Sequence, residues 1–315
     1  MEQTMAKKNK YEIDMCNGTI MDKLISFSLP LMLSGILQLM FNAVDIIVVG
    51  RFSGSQALAA VGSTSALINV FTNLFIGISL GANVLTARFY AAGREKEVSE
   101  TVHTAITLAL VSGIIMALVG LVFSKGALAL MGTPDDVIEL SALYMRIYFL
   151  GMPFFMLYNY GAAILRAVGD TKRPLLFLMI AGVINACLNM VLVIVFKLGV
   201  AGVAIATVIS QMISCVLVLR CLCRSESSYR LRFSELGMKG YYLKQIFSVG
   251  VPAGIQSTVI NFSNVLLQSS VNSFGSTAMA GYTAANNLLG FLYVSVNSIT
   301  QACMSFTSQN YGVGK

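Results

Sequence analysis

Eight stretches of this chain each run for about twenty or more residues with almost no charge: 24–50, 58–87, 101–122, 143–165, 175–196, 199–219, 246–271 and 278–306. That pattern removes most folds. A helix needs about 20 apolar residues to cross the hydrocarbon of a bilayer. In lipid only helices or closed barrels satisfy their own backbone, and these stretches lack the alternation of a barrel strand. The expected fold is therefore an all-α polytopic membrane protein with eight spans. Composition agrees: 56% of the 315 residues are hydrophobic and 11% charged, against roughly 25% charged in soluble domains. Pro30, Pro153 and Pro252 fall inside spans and are expected to kink them.

Lys and Arg set the orientation. Of 21 such residues, 17 fall on one side of the alternating spans, including Lys7, Lys8, Arg94, Lys96, Arg166, Arg173, Arg230 and Lys239. Arg51, Lys125 and Lys197 lie on the other, and Arg146 is placed at the outer end of the fourth span as an interfacial anchor. The basic side is expected to be cytoplasmic, with the N-terminus inside and the plasma membrane as the host bilayer. Read this way, the net charge of +7 sets topology rather than marking a nucleic-acid partner. The six cysteines, several of them inside spans, form no disulfide framework.

The chain also matches itself. The stretch from Ser28, "SLPLMLSGILQLMFNAVDIIVVGRFSGSQALAA", resembles the one from Gly250, "GVPAGIQSTVINFSNVLLQSSVNSFGSTAMAG". Pro30 pairs with Pro252, Asn42 with Asn264 and, further on, Tyr90 with Tyr311. The offset is 222 residues, slipping once to 221. Six spans separate equivalent points, so the repeats run parallel about an axis along the membrane normal, an architecture common in transporters. The expected organisation is a cytoplasmic tail over 1–23, a complete six-helix N-terminal lobe over 24–223, a cytoplasmic linker over 224–245 and a partial C-terminal lobe over 246–315. A full second repeat needs four more helices, so the expectation is a chain cut short after its eighth span.

One residue stands out chemically. Of the 14 acidic residues, only Asp45 is embedded in an apolar run, within "FNAVDIIVVGRFSG". It lies six residues before Arg51, about 9 Å from the outer end of its helix. Gln38, Asn42 and Asp45 fall at i, i+4 and i+7, one helical face. A central Asp facing lipid costs roughly 2.5–3.5 kcal/mol on insertion scales, so this face should line protein or a wet cavity. Ser257, Asn261, Asn264, Gln268 and Asn272 form a similar stripe without a carboxylate, Leu267 standing at the position equivalent to Asp45. No Lys or Arg is expected deep in a span.

These motifs resemble the MATE family, the multidrug and toxic compound extrusion transporters. The resemblance covers the chain from about Asp22. It is carried by "FNAVDIIVVGRFSG", by "YMRIYFLGMPFFMLYNYGAAILRAVGDTKRP" and by "NACLNMVLVIVFKLGVAGVAIATVISQ". It implies twelve helices in two lobes around a central cavity, and export of amphipathic, mostly cationic compounds against a sodium or proton gradient. Its first-span aspartate matches Asp45, its polar pair in the fifth span matches Asn185 and Asn189, and a threonine in the sixth matches Thr207. Asn189 and Thr207 each lie about 12 Å from the outer ends of their helices, the same half as Asp45. The resemblance thus implies cation coupling at Asp45, Asn185, Asn189 and Thr207. Gln38, Asn42, Asn261, Asn264 and Gln268 are expected on the cavity wall. Sodium is the one metal the site would take, as a transported ion, with no resident cofactor. The expected full-length protein is a monomer. The alternatives are a flippase of lipid-linked oligosaccharides from the same superfamily, which would need positive charge in the cavity, and an inactive fragment. A membrane enzyme lacks the residues it would need at bilayer depth.

Overall fold

In the computed structural model, which describes residues 11–272 and 276–315, every span is helical and no strand occurs among the described residues. The helices are α1 (Ile20–Phe52), α2 (Gly54–Ala91), α3 (Glu95–Leu130), α4 (Asp135–Leu150), α5 (Met152–Ala167), α6 (Lys172–Asn189), α7 (Gly199–Cys223), α8 (Gly240–Asn272) and α9 (Ser276–Gly312). They extend several residues beyond the apolar runs. Composition marks where a helix leaves hydrocarbon, whereas the backbone ladder continues into charged first turns such as Glu95 and Glu97. Five of these helices are long and apolar enough to cross a membrane, and α4 with α5 supplies a sixth as one bent span. The two helices after the linker are as long, at 33 and 37 residues. Their mean hydropathy is diluted by Ser, Asn and Gln at regular spacing.

The fourth span breaks where the sequence placed Pro153. The two halves meet at 48°, with Gly151 between them and the proline in the first turn of α5. There a missing N–H costs nothing, because the first four N–H groups of a helix have no intrahelical acceptor. At Pro30 and Pro252, by contrast, α1 and α8 continue without interruption. The fifth span ends differently from a simple helix: α6 passes at Asn189 into a π-helical turn, Met190–Val195. Lys197 then adopts a φ of 55° and Gly199 the same value, turning the chain into α7.

Glycines set the closest helix contacts. "GISLG", residues 77–81, has the small-xxx-small spacing of a helix-packing motif. A Cβ at Gly77 would strike the backbone of Gly254, and one at Gly81 would strike Ile246 and Gly250. α2 and α8 therefore touch almost backbone to backbone, in the most extensive helix pairing of the molecule. A parallel repeat about a two-fold axis requires the mirrored pairing, α9 on α1. That pair is also closely packed, with Val294 filling the space where Gly35 lacks a side chain. Ser305 of α9 donates a hydrogen bond of 3.2 Å to Asn83 of α2, tying the two helices together.

At the basic end, residues 11–17 pack across both helix groups. Glu12 accepts hydrogen bonds of 2.8 Å from Tyr90 on α2 and from Tyr229 in the linker. Burial raises the Tyr229 hydroxyl above its ordinary range, which keeps it a donor to the carboxylate. Ile13 donates to the carbonyl of Gly169, whose φ of 96° and contact with Ile13 leave no room for a side chain. Asn310 of α9 and Lys315, just past its end, donate to the Met15 and Cys16 carbonyls respectively. The "GDTKRP" loop completes this end: Asp170 accepts from the Arg173 backbone at 3.1 Å and pairs with its guanidinium, which also reaches Cys221 and Tyr229.

Replacing Gly81 or Gly254 by Leu forces the two helices apart, an overpacking cost of about 1–3 kcal/mol or more. The detergent-solubilised protein is expected to melt several degrees lower. Gly62→Ala, where a new Cβ meets nothing, should melt no lower than the parent. Equal melting of all three variants would show that α2 and α8 do not meet at these glycines.

Candidate ion and cargo cavity

A cavity of about 480 Å³ runs between α1, α2, α4, α5, α6, α7 and α9. Its wall carries Gln38, Asn42 and Asp45 of α1, so the i, i+4, i+7 stripe does face a cavity rather than the apolar exterior. Asn185 of α6 and Thr207 of α7 line the same space.

Asp45 is half-buried and is the only carboxylate on this wall among the described residues. The amide nitrogen of Asn189 donates to its Oδ1 and, at 3.2 Å, to Oδ1 of Asn185. Asn185 and Asn189 are one turn apart, which aligns their amides on the same face. Asn189 is fully buried, and its own Oδ1 has no partner. With both amide hydrogens committed to carboxylate and carbonyl, the amide cannot be reversed without losing both bonds. The result is a half-buried carboxylate on the cavity wall, bonded to a side chain whose own oxygen is buried and without a partner. A buried acceptor left unpaired costs about 1–3 kcal/mol, and a cation is one group that would satisfy it. The π-helical turn begins directly after Asn189; such turns are frequent at functional sites.

The other expected residues are placed less closely. The Thr207 hydroxyl donates to the Val203 carbonyl of its own helix at 2.9 Å and so turns only its lone pairs outward. Asn264 is exposed and is not part of the cavity wall. Asn261 and Gln268 lie outside the described side chains.

Several wall residues were not singled out from sequence. Asn69, Thr72 and Asn73 on α2 recur at i, i+3 and i+4 and could have been found by the same stripe criterion. Tyr144 and Tyr148, one turn apart on α4, stack with ring centroids 6.1 Å apart beside the Asp45 end. No Lys or Arg was expected deep in a span, yet a cation at the end of a span does reach the cavity. Arg166, counted with the loop cations, sits in the last turn of α5 and lines the cavity.

These features define a class: a polytopic helical membrane protein whose helices enclose a polar cavity with, among the described residues, one half-buried carboxylate on its wall. The sequence pattern of the MatE family matches residues 30–191 and 252–315, and the chain belongs to that family. It is 35% identical over 298 residues to the probable multidrug resistance protein YoeA of Bacillus subtilis, covering 92% of this chain and 64% of the relative. It is 29% identical to the probable multidrug resistance protein YpnP of the same organism, with 96% and 67% covered. Among solved structures, the fold matches an outward-facing multidrug resistance MATE family transporter with a TM-score of 0.89 at 23% identity, covering 98% of this chain and 68% of that one. The chain thus spans about two thirds of the length of these relatives.

If Asn189 holds Asp45 as described, the two side chains are coupled energetically. A double-mutant cycle of Asp45→Asn and Asn189→Ala on reversible unfolding in mixed micelles should give a coupling of about 0.5–2 kcal/mol, the range of interhelical polar contacts in membranes. Additive effects would show that the contact is not made.

Proposed function

We propose that this chain forms the ion-coupling part of an antiporter that exports amphipathic, mostly cationic compounds across the plasma membrane in exchange for sodium or protons. The observation that carries the reading is the Asp45–Asn189–Asn185 cluster on the wall of a polar cavity, with the buried Asn189 Oδ1 lacking a partner. The names of the relatives in Bacillus subtilis support the substrate class.

In this reading the basic end is cytoplasmic and the N-terminus lies inside. A cation entering from outside sits between Asp45 and Asn189 Oδ1, with the Asn185 and Thr207 oxygens nearby. A proton on the carboxylate neutralises it as a sodium ion beside it does. Cargo and cation neutralise the same negative site, and each favours a different arrangement of the helix groups. Differential binding to two states is what links the two fluxes. A membrane potential adds roughly 2.3 kcal/mol per charge per 100 mV to the inward pull on the cation. No resident cofactor is required, and the working unit is one polypeptide.

In the full-length protein, Asp45→Asn is expected to reduce gradient-driven efflux of ethidium to the level of cells lacking the transporter, while the amount inserted in the membrane stays unchanged. Efflux at parental rates would remove Asp45 from the coupling. Proteoliposomes energised by a sodium gradient alone or a pH gradient alone identify the ion by which of the two drives uptake.

A further inference from the structure

The cavity is bipolar. Asp45 marks one end; at the other, the Arg166 side chain reaches the wall from the last turn of α5, where Pro174 of the first turn of α6 also lines it. Asn185, beside the Asp45 cluster, and Pro174 are eleven residues apart on α6, so the two ends lie about 16 Å apart along the helices. Arg166 is the only cation on the wall among the described residues, and there it forms no ion pair or side-chain hydrogen bond. The nearby carboxylate is already engaged: Asp170, four residues on, pairs with Arg173, and the Tyr158 hydroxyl donates to the Pro174 carbonyl at 3.1 Å and forms no hydrogen bond with Arg166. Arg166 is half-buried, so its guanidinium gives up part of its hydration without a protein anion in return. Placement at a helix C-terminus stabilises a cation but satisfies none of its donors. Phe155 and Tyr158 supply an aromatic wall from the same helix.

We propose that Arg166 binds the carboxylate of zwitterionic amphipathic cargo, whose aromatic body lies along Phe155 and Tyr158. The planar guanidinium offers two parallel N–H donors to a carboxylate. The inference rests on this cavity being the cargo site and narrows the substrate class to compounds with an anionic end as well as a cationic one. It gives the exporter a reason to prefer zwitterions to simple cations: neutralising Arg166 and Asp45 separately leaves neither charge buried alone.

The test is direct binding to the purified full-length protein in detergent, without any gradient. The probes are a rhodamine bearing a free carboxylate and the methyl ester of the same dye, followed by fluorescence anisotropy. The unmodified protein should bind the acid about tenfold or more tightly than the ester, the worth of a charge-assisted hydrogen bond. Arg166→Gln should abolish that preference by weakening the acid alone, and Arg166→Lys should keep part of it. Equal affinity of the unmodified protein for acid and ester overturns the proposal, as does failure to bind either dye, without recourse to any variant. Equal weakening of both dyes by Arg166→Gln overturns it too, assigning Arg166 to cavity shape. An acid preference lost in Arg166→Gln, together with no gradient-driven efflux from the parent, would sustain the binding role while refuting the exporter.

Discussion

The hydrogen bond from Asn189 to Asp45 is the constraint around which the first helix group is arranged. A carboxylate on a helix that crosses an apolar medium must be turned inward and given donors. Meeting that need ties α1 to α6 and fixes the face of α1 that carries Gln38 and Asn42. It also requires Asn185 and Asn189 to share one face of α6. The Asn189 nitrogen donates to both the carboxylate and Asn185, while no donor reaches its own oxygen. The unpartnered oxygen thus sits on the same side chain that holds the carboxylate in place.

The rest of the scaffold holds that cluster beside an accessible space. Close contact between α2 and α8 through Gly77, Gly81, Gly250 and Gly254 brings the two helix groups together without bulky side chains between them. Without a strong hydrophobic force between helices in lipid, such close backbone approach is a main source of association. The equivalent α1–α9 pairing closes the opposite flank, so the cavity lies between two repeat-related seams.

Much of this was legible in the sequence, for identifiable reasons. Membrane spans are dictated by length and apolarity, and Asp45 stood out because it was the one acidic residue inside a span. Its neighbour could be matched in depth but not in direction: spacing along a helix gives a height, whereas the rotation that points Asn189 at Asp45 comes from packing. The π-helical turn after Asn189 left no mark in a run of Met, Val, Leu and Ile. Pro153 and Pro252 looked alike as sequence, each two residues after a glycine, yet only at Pro153 does a new helix start. Arg166 was missed because a cation following a span is equally well placed for setting topology, and only the inward turn of its side chain separates the two roles. The alignment of Asn69, Thr72 and Asn73 on α2 was within reach of the pattern that identified the α1 stripe.

The segment from Tyr11 to Asn17 has a mechanical consequence. Its carboxylate is bonded to α2 and the linker, its backbone to the loop before α6, and its carbonyls to the end of α9. It works as a buckle, short and fastened on both sides. Parting the helix groups at this end cannot proceed as a smooth hinge, because the buckle must come undone on one side first. The rate of that parting is then governed by how quickly a handful of polar bonds let go together, and the few residues from Tyr11 to Asn17 set the threshold.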